Sequence, residues 1–66
     1  MQVTINGKPH QLAGEVSLAQ AVALLTSAPS GVAAAVNGAV VPRAAWSGTA
    51  LAEDDDVEVL TAVQGG

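Results

Sequence analysis

Sixty-six residues carry a formal net charge of −4, with six acidic side chains set against only Lys8 and Arg43. A chain of that length makes one small domain, burying only about 60% of the surface its unfolded form exposes, which excludes a deep pocket walled on every side. With no cysteine, disulfides, thiolate metal sites and a cysteine nucleophile are excluded together, and two scattered basic residues argue against nucleic acid.

Half of the residues are apolar, but they are mostly Ala and Val, and Trp46 is the sole aromatic. The single histidine, His10, has no Asp or Glu at ligand spacing beside it, so no metal site is expected. A serine triad fails for the same want of an oriented base. The N-terminus opens on a strand pattern rather than a charged and apolar leader, and no apolar run approaches the ~18–20 residues of a membrane span. The expected location is the cytoplasm, without membrane contact.

Met1, Val3 and Ile5 alternate with Gln2, Thr4 and Asn6, the period of a strand with one buried face. Asn6-Gly7 supplies the two residues most tolerant of positive φ, as a tight hairpin requires. Lys8 to Leu12 reads as the return strand, and Pro9 demotes it to an edge. Ser17 and Gln20 then form a capping box with Val16 as the staple, predicting a helix from about Leu18 to about Thr26. Leu18, Ala21, Val22 and Leu25 fall on one stripe, and Pro29 and Gly31 close the element.

Val32–Val36 and Ala39–Val41 flank Asn37-Gly38, a second hairpin with the same turn chemistry. Pro42 stops the second arm, and Arg43 to Gly48 reads as an irregular or single-turn connection carrying Trp46 into the core. The run Glu53-Asp54-Asp55-Asp56 reads as a solvated turn before a strand. The last strand spans Val57 to Val63; with Val57 and Val59 inward, Leu60 and Ala62 share the outer face with Glu58. Two hairpins, one helix and a last strand give a two-layer α+β domain over residues 1–66, in an order compatible with the β-grasp arrangement.

The chain closes on Val63-Gln64-Gly65-Gly66. Two glycines make a thin thread, able to enter a narrow channel and take backbone angles closed to other residues; a diglycine alone reads first as a loose terminus.

Val36-Asn37, Val41-Pro42-Arg43, Trp46 and the closing stretch Val57 to Gly66 together resemble the ThiS family, the small sulfur carriers of thiamin biosynthesis, over the whole chain. The resemblance implies a ubiquitin-like β-grasp fold, with a mixed sheet of four to five strands packed on one main helix. It also implies that the protein is not an enzyme but a co-substrate, monomeric when free and holding no cofactor or metal. An adenylating enzyme related to the ubiquitin activators would use ATP and magnesium to turn the Gly66 carboxylate into an acyl-adenylate. Sulfur supplied through a cysteine desulfurase would then give a thiocarboxylate, which thiazole synthase would consume.

In that reading Gly66 is the modified residue, and Gly65 and Gln64 thread it into active sites. Leu60, Glu58 and Arg43 are candidate partner contacts, and the acidic run is a candidate for meeting a basic rim. Two other readings share the tail: the small subunit of a molybdopterin synthase and a ubiquitin-like modifier. One departure concerns the acidic turn, where the family commonly has Gly-Asp and this chain has Asp54-Asp55. It puts the turn's geometry in question, since Asp takes positive φ less readily than Gly.

Overall fold

Val3 and Ile5 turn to one side of β1 (Gln2–Ile5) and are both 1% exposed, while Gln2 between solvent and sheet faces the other way. The computed structural model describes residues 1–27 and 30–61. Asn6 and Gly7 take φ of 53° and 80°, the paired positive angles of the turn that matches strand twist. They return the chain antiparallel as β2 (Lys8–Gln11), in register from Ile5↔Lys8 to Gln2↔Gln11. β2 lies at the sheet's edge, where Pro9 leaves no ladder bond unmade.

The capping box forms as expected. Ser17 Oγ accepts the Gln20 N–H at 3.2 Å, and Gln20 Oε1 accepts the Ser17 N–H at 2.8 Å, so two donors that the first turn leaves unpaired are satisfied reciprocally. The helix, α1 (Leu18–Leu25), ends on Thr26. Leu18, Ala21 and Val22 are buried, but the predicted stripe fades at Leu25, which is 43% exposed beside Leu24 at 58%. The helix is only eight residues long, and its last turn overhangs the core. Pro29 lies outside the described residues; Gly31 follows with φ of 75°.

β3 (Val32–Val36) and β4 (Ala39–Val41) form the second hairpin, with Asn37 and Gly38 at φ of 51° and 86°. A 3₁₀ turn, Arg43–Gly48, carries Trp46 back under the sheet. Its indole is 5% exposed and donates to the Val41 carbonyl at 2.8 Å, the partner a buried Trp needs. Beyond it the chain crosses the start of α1: Leu18 N–H donates to the Thr49 carbonyl at 2.8 Å and Leu51 N–H to that of Val16 at 2.9 Å. This short bridge seats Leu51, 7% exposed, in the core.

β5 (Asp56–Thr61) takes the middle of a five-stranded sheet ordered β2-β1-β5-β3-β4. It runs parallel to β1 and antiparallel to β3. Val57 and Val59 face the helix, at 0% and 6% exposure, and join Val3, Ile5, Ala34, Leu18, Ala21, Val22, Trp46 and Leu51 in one core. Residues 62–63, the expected end of this strand, lie outside the described part. Among the described residues no helix is long and apolar enough to cross a membrane.

Candidate functional site

The three tail residues assigned from the sequence, Gln64, Gly65 and Gly66, lie outside the described residues, so the site is approached through the strand that leads to it. In β5 the side chains alternate: Val57 and Val59 go into the core, and Glu58 and Leu60 go out. Opposite them on β3 stand Ala33, paired with Leu60, and Ala35, paired with Glu58 and, on its other side, with Val40. These alanines are low, so a shallow hollow opens on the outer face, lined by Ala33, Ala35, Gly38, Val40, Glu58 and Leu60. Leu60 and Val40 flank it at 71% and 78% exposure. The structure therefore brings Leu60 and Glu58 together on one surface.

Arg43 is elsewhere. It lines a groove against α1 with Ala19, Val22, Ala23 and Trp46, and its guanidinium carbon lies 5.1 Å from the centroid of the Trp46 ring, within range of a cation–π contact. None of the residues lining that groove lines the outer hollow. Of the three candidate contacts, two share a face and the third serves the helix side.

The acidic run does more than the expected solvated turn. Asp55 accepts the Ala52 N–H at 2.7 Å and the Asn37 carboxamide at 3.0 Å. Glu53 accepts the Gln2 N–H at 3.1 Å, and Asp56 accepts the Thr4 hydroxyl at 3.0 Å. Asp54 holds φ of 68° and donates its N–H to the Gln2 carbonyl at 2.7 Å. The turn thus keeps the left-handed geometry that a glycine would take freely. Among the described residues no three acidic or histidine side chains converge on a point that could hold a metal ion.

Two residues that the sequence marked only as turn formers also reach β5. Asn37 Oδ1 accepts the Asp56 N–H at 2.9 Å. Asn6 meets Val59 twice, accepting its N–H on Oδ1 at 2.8 Å and donating Nδ2 to its carbonyl at 3.1 Å. No local signal announces these contacts, since the second spans fifty-three positions of chain.

One helix held against a five-stranded mixed sheet, with the last strand at its centre, defines a ubiquitin-like β-grasp domain. The model of the ThiS family matches residues 3–66, and the chain belongs to that family. It is similar to the crystal structure of a thiamine biosynthesis protein (ThiS) from Geobacter metallireducens, with TM-score 0.78, 32% identity and full coverage of both chains. The NMR solution structure of a thiamine biosynthesis protein from the same organism matches with TM-score 0.80 and 32% identity, over 100% of this chain and 88% of that one. A thiazole synthase of Magnetococcus marinus is 36% identical over 66 residues. The match takes in all of this chain, which spans only 20% of that relative's length.

Proposed function

We propose that this protein is a sulfur carrier for thiazole formation in thiamin biosynthesis, and that its reacting group is the Gly66 carboxylate. The observation that carries the reading is family membership that runs through the closing glycines, the match extending to residue 66. A free α-carboxyl titrates near ~3.3–3.7, so at neutral pH it is an anion and a poor electrophile until activated. Attack of the carboxylate on the α-phosphorus of ATP gives an acyl-adenylate and pyrophosphate. A persulfide sulfur then attacks the acyl carbon and displaces AMP. Cleavage of the resulting S–S bond by a second thiol, itself oxidised to a disulfide, releases the thiocarboxylate.

ATP and magnesium belong to the activating enzyme in this scheme, and the persulfide sulfur is supplied through a cysteine desulfurase. The carrier contributes a reachable terminus and a surface for recognition. The relative from Magnetococcus marinus, a thiazole synthase with a segment similar to this whole chain, supports thiazole synthase as the enzyme that consumes the sulfur. We place the body's docking contact on the outer hollow around Leu60, where exposed apolar side chains sit together beside Glu58.

Intact-mass measurement tests the reading. The protein as isolated should have the mass of a chain ending in a free Gly66 carboxylate. Incubated with ATP, magnesium, the activating enzyme and a persulfide donor, it should gain the mass difference of one sulfur for one oxygen. A mass that stays unchanged while the activating enzyme loads another carrier would overturn the proposal. Recovery of the chain as an isopeptide on lysine side chains, with no thiocarboxylate, would point instead to a protein modifier.

A further inference from the structure

β1 pairs with β5 over only two positions, Thr4↔Asp56 and Ile5↔Val57. The Asn6 N–H adds a bond to the Val57 carbonyl at 2.9 Å, and there the main chain turns away into β2. Strand alternation sends the N–H and carbonyl of Val59 toward the same side as those of Val57. Nothing of the β1 main chain remains to meet them. The Asn6 carboxamide fills that place, its oxygen accepting the Val59 N–H at 2.8 Å and its nitrogen donating to the Val59 carbonyl at 3.1 Å. A carboxamide carries the same donor and acceptor pair as a peptide unit, so the side chain continues the ladder one step past the end of the strand.

We infer that Asn6 is a positioning residue: it clamps the end of β5 and so sets the direction in which the chain leaves the body toward Gly66. The clamp closes on Val59, and the described strand ends two residues later at Thr61. On the strand's other side Leu60 and Thr61 stay paired with Ala33 and Val32 of β3, so Asn6 is the hold on the side facing β1. A turn former alone is not required to be asparagine here, because glycine reaches φ near 53° without strain. What glycine lacks is the second half of the job, the pair of bonds to Val59.

Asn37 supplies an internal comparison. It has the same turn position, with φ of 51°, and it also bonds β5, but at Asp56, the first residue of the strand. Loss of either side chain therefore removes hydrogen bonds to the same strand. Only Asn6 acts at the end that carries the tail. The consequence for sulfur loading rests on the carrier reading; the clamp itself does not.

The variants are Asn6→Gly, which keeps the turn and removes the carboxamide, and Asn6→Asp, which keeps an acceptor but presents oxygen to the Val59 carbonyl. Asn37→Gly is the matched control. In the full-length protein, Val59 amide exchange should quicken about tenfold or more in Asn6→Gly, which loses both bonds near the strand end, and by a smaller factor in Asn6→Asp, which keeps an acceptor for the Val59 N–H. It should stay within about twofold of wild type in Asn37→Gly, whose lost bonds lie at the other end of the strand. The kcat/KM for adenylation should fall severalfold in the Asn6 variants and hold in the control, even where thermal melting shows comparable destabilisation. Unchanged Val59 protection in Asn6→Gly overturns the clamp, and an equal loss of kcat/KM in Asn37→Gly overturns its role in positioning. If the wild-type chain is never adenylated, the carrier reading fails, while the exchange comparison still decides whether Asn6 holds β5.

Discussion

Asn37 and Asp55 are joined across the sheet's end, carboxamide to carboxylate at 3.0 Å. The same aspartate accepts the Ala52 N–H on its other oxygen at 2.7 Å, so one half-buried side chain fastens the acidic turn both to itself and to the β3–β4 hairpin. Asp55→Ala removes both bonds and leaves their donors to water. The expected loss is about 1–2 kcal/mol, read as a fall of roughly 4–16 °C in melting temperature for a domain of this size. Because the effect is internal to the fold, sulfur loading at a temperature where the variant stays folded should match wild type.

Asp54 bears the opposite expectation. Its φ of 68° places a side-chain-bearing residue in the left-handed region, which is disfavoured by roughly 1–2 kcal/mol for most residues and by less for Asp. The contact that matters to the turn is its main-chain N–H bond to Gln2, which glycine retains. Asp54→Gly should therefore stabilise the protein, by up to about 1 kcal/mol after the greater unfolded-state freedom of glycine is subtracted. Urea denaturation with an unchanged m-value is the measurement.

These two aspartates mark where the fold was legible in the sequence and where it was not. The hairpin turns could be read because Asn-Gly pairs satisfy a purely local demand for positive φ, and the helix start because Ser17 and Gln20 are three residues apart. Alternation alone told Val57 and Val59 from Glu58 and Leu60. The position of β5 between β1 and β3 is a different matter. Its parallel pairing with β1 joins residues more than fifty apart, and no local pattern encodes it. With that pairing unseen, Asn6 on Val59 and Glu53 on Gln2 are unseen too, and Asn37 on Asp55 and Asp56 goes with the equally non-local pairing of β3 and β5. The acidic run is the exposed turn that the sequence announces, with Asp55 alone half-buried; what could not be read were the distant partners of Glu53, Asp55 and Asp56. Leu25 fails for a simpler reason, since helical spacing says which side a residue faces but not how far the opposing layer extends.

Trp46 offers a direct test of how this small-residue core is held. Trp46→Phe keeps an aromatic ring in the site but deletes the bond to the Val41 carbonyl, which lies at the end of β4 just before the chain turns. The lost bond and the smaller ring together should destabilise the fold by about 2–3 kcal/mol. Circular dichroism during urea titration reads this without relying on tryptophan emission. Arg43→Ala removes the cation stacked at 5.1 Å from the same ring and should cost no more than about 1 kcal/mol at this exposed position.

The last prediction separates recognition from the chemistry of the terminus. Leu60 is 71% exposed and its main chain pairs with Ala33 whatever the side chain, so Leu60→Gln should alter stability by no more than about 0.5 kcal/mol. If the outer hollow is the surface an enzyme grips, burial of this leucine contributes about 1.5–3 kcal/mol to the complex. That contribution is the same before and during reaction, so its loss should raise KM about tenfold or more for the activating enzyme and leave kcat unchanged. Arg43→Ala, on the helix side, should leave KM where it was. An unchanged KM for Leu60→Gln would remove the outer hollow from the docking surface, and a larger KM effect at Arg43 would move that surface to the groove between α1 and Trp46.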